Sequence, residues 1–176
     1  LNRQASAFLQ SQKFAEADHA AREKMRITER VFGPRSEQTA GAEEDVGAVL
    51  FYAGDFVGAE THHRRALEIR REVFGDESAE VAQALHNLGF AQSKQGRLDA
   101  AEESLREALR LRRKLLVDRE LLALTLEGLA HVTYQRGQPA LAEKYLADQL
   151  EIVRNFTTQG TRVSATAAYQ NRYFPQ

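Results

Sequence analysis

The sequence predicts an all-α protein built as a superhelix of stacked helical hairpins, and two observations carry that expectation. Ala, Leu, Arg, Glu and Gln make up 97 of the 176 residues, whereas Val and Ile together supply 13. The chain is therefore rich in strong helix formers and poor in the β-branched residues that favour strands. The second observation is self-similarity at a fixed period. Gln12-Lys13-Phe14-Ala15-Glu16-Ala17-Asp18 aligns with Gly54-Asp55-Phe56-Val57-Gly58-Ala59-Glu60 and then with Gly96-Arg97-Leu98-Asp99-Ala100-Ala101-Glu102, at steps of 42 residues. Gly137-Gln138-Pro139-Ala140-Leu141-Ala142-Glu143 follows after 41, one residue having been lost between Val117 and Leu121.

Within each unit the apolar residues follow helical spacing on both sides of the turn, so a unit reads as helix, turn, helix. The first, about 1–33, starts inside its first helix, with Gln12 in place of the turn glycine and Lys24 where later copies have Ala66 and Ala108. Looser packing is expected there, as at any solenoid end. The next units span about 34–75, 76–117 and 118–157. In these, Val46-Gly47, Leu88-Gly89 and Leu129-Ala130 face Ala59, Ala101 and Ala142, small residues that let two helices approach closely. Phe14, Phe56 and Leu98 fill the corner beneath the turn, and Gly54, Gly96 and Gly137 supply a left-handed stop. Thr157-Thr158-Gln159-Gly160 breaks the fourth unit, and a capping helix is expected over about 161–173, with Val163, Ala167 and Tyr169 or Tyr173 turned inward. The whole chain, 1–176, reads as one domain.

At Val81-Ala82-Gln83-Ala84-Leu85-His86-Asn87-Leu88-Gly89, followed by Gly96-Arg97-Leu98 and Ala101-Glu102, the residues resemble the tetratricopeptide repeat family, and more closely its 42-residue kinesin-light-chain variety. The similarity covers residues 1 to about 157. It implies a solenoid whose first helices line a concave groove, and a binding role for an asparagine at the place of Asn87, whose amide both donates to and accepts from a peptide backbone. Asp45 and Gly128 stand at that place in the neighbouring units, so a full asparagine ladder is absent.

Composition and motifs exclude several other classes. With no cysteine there is no disulfide scaffold, thiolate metal site or cysteine nucleophile. No run approaches the roughly 18 apolar residues of a membrane span, and Leu1–Gln10 lacks the plan of a signal peptide. With Leu1 in place of Met, a fragment or a processed chain is expected. The formal charge is −1, and Arg64-Arg65, Arg70-Arg71 and Arg112-Arg113 on the outer second helices are matched by Glu60, Glu68 and Glu103 three or four residues before an arginine. A solvated, neutralised outer wall is expected, with no nucleic acid on it. Phosphate-loop, Gly-x-Ser-x-Gly and His-Glu-x-x-His motifs are missing. Acid–base chemistry is left only to a convergence of Glu44, Asp45, His86, Glu127 and His131 in the groove, and solvated groove charges explain the same residues. The adjacent pair His62-His63 points in directions about 100° apart, which suits a surface or inter-helix role better than a metal site.

The candidate site is thus the inner wall: Glu44, Asp45, Phe51 and Tyr52 in the second unit, His86, Asn87, Phe90 and Lys94 in the third, Glu127, His131 and Tyr134 in the fourth. Aromatic residues among mixed polar neighbours suit a peptide interface, while Phe51 and Phe90 also fit as fillers of gaps between repeats. The function expected is a non-enzymatic scaffold or adaptor, without cofactor or metal, that holds a peptide or helix of another protein. The acids imply basic residues in the ligand, and an open solenoid end offers a route to a homodimer. The alternative is a ligand- or peptide-sensing regulatory segment of a larger bacterial signalling or transcription-regulating protein. Arg outnumbers Lys 19 to 5, in keeping with a GC-rich bacterial genome, and a cytoplasmic location is expected.

Overall fold

The structure, a computed structural model, describes residues 14–115 and 119–157. Seven helices and no strand occur among them: α1 Phe14–Phe32, α2 Glu37–Ala53, α3 Phe56–Phe74, α4 Ala79–Lys94, α5 Leu98–Lys114, α6 Arg119–Gln135 and α7 Pro139–Thr157. The all-α solenoid is borne out. The hairpins α2/α3, α4/α5 and α6/α7 stack in chain order, with α1 packed on α2. The start of the first unit and the capping helix expected over 161–173 lie outside the described residues.

Local chemistry repeats with the period. Ser36 and Ser78 cap α2 and α4, their Oγ atoms accepting from Thr39 N and Val81 N, each at 3.2 Å. Gly54 ends α2 at φ +87°, a left-handed conformation that costs a residue with Cβ about 1 kcal/mol or more. Gly96 and Gly137 repeat it at φ +74° and +73°.

Inside each hairpin the helices meet at the small residues. A Cβ on Gly89 would lie 2.7 Å from Leu105 Cγ and 3.2 Å from the Ala101 carbonyl oxygen, so α5 occupies the space that the glycine leaves. Gly47 meets His63 in the same way, at 2.7 Å. Each hairpin leaves one apolar flank bare, which the next one covers. Leu67, Val81, Leu85, Leu88 and Leu111 share one cluster, and Leu105, Leu109, Leu126, Leu129 and Val132 another. Full burial of one such leucine contributes about 1.5–3 kcal/mol.

Ala101 is fully buried at this contact, so Ala101→Arg drives a long cation between two touching helices. A loss of several kcal/mol is expected, visible as a large drop in Tm. His63 is one of several buried polar residues, and its Nδ1 has no partner among the described residues; burial, with the charges of His62 and Arg70, holds its pKa down at about 4. The unfolded chain binds a proton there near the ordinary 6.5 and the folded chain does not, so this residue costs stability as pH falls from 6.5 to about 4. His63→Leu, copying Leu105 of the next unit, should flatten that part of the stability–pH curve in denaturant titrations and leave the neutral plateau no lower than in the parent.

Candidate functional site

Helix α4 packs on α6 directly as well as on its hairpin partner, which puts the first helices on the inner side of the curve. Their side chains form the candidate site, and the structure divides them into three groups.

The first group is spent on holding repeats together. Arg70 on α3 donates to both oxygens of Glu44, each at 2.7 Å, and to the Glu80 carbonyl of the following unit at 3.1 Å. Glu44 also accepts from Asn87 Nδ2 at 3.1 Å, and Asn87 Oδ1 accepts from Gln83 Nε2 at 3.0 Å. Gln83 Oε1 in turn accepts from Arg112 Nη2 at 2.8 Å. Arg112, only 2% exposed, donates to the Leu121 carbonyl at 2.5 Å and to the Thr125 hydroxyl, and lies 3.4 Å from His86 Nδ1. A polar ladder therefore crosses five helices from α2 to α6. Asp45 pairs with Lys24 of α1.

Burial raises the pKa of Glu44, against the pull of Arg70. Burial, then the charge of Arg112, pushes His86 down to about 3, so its ring is neutral and accepts. Burial lowers Arg112 to about 10, and no carboxylate lies within ion-pair distance of it among the described residues. Of the acids and histidines in which acid–base chemistry could have gathered, Glu44, Asp45 and His86 are engaged with Arg70, Lys24 and Arg112, and no metal-holding group of His, Asp and Glu occurs among the described residues.

The second group fills gaps. Phe51 stacks edge-on against Tyr52 and Phe56, with centroids 5.8 and 5.4 Å away. Phe90 lies 4.7 Å from the His86 ring and presses on α6 at Gly128, where an added Cβ would lie 2.8 Å from Phe90 Cε2. The third group is open: Tyr52 is 66% exposed and Tyr134 69%, and Lys94 and His131 are exposed as well.

Glu127 belongs to none of these. It is half-buried, among the described residues it accepts only from Gln149 Nε2 at 3.3 Å, and burial raises its pKa to about 7. The period explains the isolation. Glu44, His86 and Glu127 occupy one register, and Arg70, Arg112 and Val153 the register that faces it, so Glu127 is the acid whose arginine has been replaced by valine.

The outer wall needs correction. Arg70 and Arg112 do not lie on it, because their register, next to the buried Ile69 and Leu111, faces the following repeat. Recurrence of Arg at that register was the available signal. Arg64 pairs with Glu60 at 2.5 Å as its spacing predicts. Arg71 instead meets Asp76 at 3.4 Å, Arg106 meets the buried Glu102 at 2.5 Å, and Arg113 meets Asp148 at 2.9 Å. His62 reaches Glu43 at 2.6 Å while His63 turns into the core, so the two do diverge. Ser93, the neighbour of Lys94 on α4, is 9% exposed and belongs to the interior.

Residues 38–114 match the tetratricopeptide repeat family. Among solved structures, BtubC (BKLC) from P. vanneervenii superposes with a TM-score of 0.79 at 21% identity, covering 91% of this chain and 63% of that one. The nearly identical TPR-like repeats of a kinesin-light-chain-type protein from Podosopora anserina give 0.77 at 16% identity, covering 92% and 75%. The apo form of RapI gives 0.77 at 17% identity, covering 89% and 56%. The chain thus spans less than two thirds of BtubC and of RapI. No curated protein matches. Residues 38–114 carry tetratricopeptide repeats, and the fold of the described residues is similar to that of kinesin-light-chain-like repeat proteins. No helix among the described residues is long and apolar enough to cross a membrane.

Glu127 supplies a test of the electrostatics. Its folded pKa of about 7 lies above the ordinary 4.5, so the stability associated with its neutral form is present below pH 4.5 and is lost as pH rises through 7. Glu127→Gln should therefore raise Tm at pH 8 and leave it nearly unchanged at pH 5.

Proposed function

We propose that the chain is a non-enzymatic adaptor that holds a peptide or helix of another protein against the inner wall of α2, α4 and α6. The observation that carries this reading is the uncompensated carboxylate of Glu127 on an inner wall that also bears the exposed Tyr134 and the part-exposed Leu124. A basic ligand residue meets the carboxylate of Glu127 there, which has no cation partner among the described residues, whereas Glu44 and Asp45 already have Arg70 and Lys24. The cation stands in for the arginine that Val153 replaces, with Tyr134 offering apolar and cation–π contact. Asn87, though bonded at both ends of its amide, keeps one donor hydrogen and one acceptor lone pair for a peptide group. Phe90, His131, Lys94, Tyr52 and the half-buried Phe51 complete the surface. The paired arginines of the outer wall support the absence of nucleic acid. Cofactors play no part in this reading, and the setting proposed is the bacterial cytoplasm.

Selection from a random peptide library on the immobilised protein should enrich peptides carrying Lys or Arg beside apolar residues. Glu127→Gln should weaken a selected peptide about tenfold at pH 8, as expected for loss of a charged hydrogen bond. Asn87→Ala should weaken it about fivefold and also lower Tm modestly, since the bridge from Glu44 to Gln83 is cut. Enrichment indifferent to basic residues, or affinities unmoved by both variants, would sink the groove assignment.

A further inference from the structure

Glu127 is the last of three residues in one register, and the chain supplies an arginine to the first two. At the first, Nη1 and Nη2 of Arg70 donate to the two oxygens of Glu44, each at 2.7 Å, the side-by-side fork that a planar guanidinium makes with a carboxylate. At the second, Arg112 Nη1 lies 3.4 Å from His86 Nδ1. At the third the acid is kept, and valine stands at 153 in place of the arginine. Gln149, one turn before Val153, donates to Glu127 at 3.3 Å. The face of α7 that corresponds to the arginine-bearing face of α3 and α5 therefore borders this carboxylate.

Resting on the groove reading proposed above, we infer that the basic residue taken at Glu127 is an arginine of the partner protein. Its guanidinium forks onto the carboxylate as Arg70 does onto Glu44, and a lysine at that place is selected against.

Two features of the place favour a guanidinium over an ammonium. Glu127 is half-buried, and a guanidinium, being more weakly hydrated, gives up less solvation to reach it. Its one described donor, Gln149 Nε2, lies on Oε2, so a fork serves Oε1 and shares Oε2, whereas an ammonium is a single compact charge. The surroundings accept the rest of the side chain. Leu124 and Leu150, one turn before Glu127 and Val153, are 40% and 62% exposed and flank the three-carbon stem with apolar surface. In the preceding unit Gln83 and Leu109 hold the same two registers beside Arg112, and Gln83 accepts from its Nη2 at 2.8 Å.

Two random peptide libraries, alike except that basic residues are arginine alone in one and lysine alone in the other, are selected at pH 8 on the immobilised full chain. Arginine peptides should enrich. In the tightest of them, replacing the arginine by lysine should weaken binding about tenfold, and Glu127→Gln should remove that preference. Val153→Arg supplies the guanidinium from within. It should weaken the arginine peptide about tenfold, and it should raise Tm at pH 8 by more in the parent than in Glu127→Gln. Ala147→Arg adds the same charge at an exposed position about 200° round α7 from Gln149 and should do neither. Enrichment of lysine peptides alone, equal affinity for the arginine and lysine forms, or a Tm change from Val153→Arg that is the same with and without Glu127 overturns the inference. The groove reading then stands if Glu127→Gln weakens both forms alike. Enrichment of neither library sinks the groove reading together with it. Where circular dichroism shows lost helix in Val153→Arg, the comparison of arginine and lysine peptides on the parent decides.

Discussion

The space of one missing Cβ sets the geometry of the hairpins α2/α3 and α4/α5. Gly89 lets Leu105 lie where its own side chain would stand, and the α5 backbone follows to within 3.2 Å of that point. Any larger residue would push the helices apart and lose the dense contact from which dispersion and burial energies come. The turn follows from this approach: two helices so close are joined by a tight corner, and the corner takes Gly54, Gly96 or Gly137 in the left-handed region. Stacking follows in turn, because a narrow hairpin buries little by itself and its remaining apolar flank is the next unit's floor. Gly47 shows that the geometry outranks the chemistry. The space is filled there by a histidine that must stay neutral to be tolerated.

Between hairpins, burial is supplemented by a recurrent guanidinium. Arg70 and Arg112 each reach a backbone carbonyl of the following unit, Glu80 in one case and Leu121 in the other. Their acid partners differ. Glu44 neutralises Arg70, whereas Arg112 has the neutral acceptors Gln83, Thr125 and His86. A buried cation without a counter-ion is tolerated only when its donors are well supplied with acceptors. The imidazole of His86, held neutral by burial and by the arginine itself, fits that requirement.

The hairpins, their corners and the small-residue contacts were legible because backbone sterics and apolar periodicity act locally, at positions such as Gly54, Ala101 and Leu88 that recur in phase. The charges were less legible. Helical spacing offered Glu68 to Arg71 and Glu103 to Arg106, but partners are chosen in three dimensions, and Asp76 and Glu102 took those places. Arg70 and Arg112 looked like surface residues because arginine on a second helix is normally solvated; only the neighbouring hairpin, absent from any local window, buries them. The inner wall was read as a set of residues, whereas the structure separates Glu44, Asp45 and Phe90, held in contacts between repeats, from Tyr52, Tyr134 and Glu127. Comparison by register, with Val153 at the place of Arg70 and Arg112, would have singled out Glu127 from sequence.

In the proposed function the inner wall has a double duty that ties binding to stability. Asn87 bridges Glu44 to Gln83, and in the proposed function it also meets the ligand, so a ligand that engaged it would act on the ladder joining the second unit to the third. In a solenoid each unit touches only its neighbours, and the relative orientation of two units is controlled by the few contacts between them. Anything that binds the folded form alone stabilises it in proportion to occupancy, by about 2.7 kcal/mol at a hundredfold excess over Kd. Here that energy enters at the joints between repeats. Those joints are where a solenoid is softest, so occupation of the groove is expected to stiffen the curvature of the stack more than the interior of any hairpin.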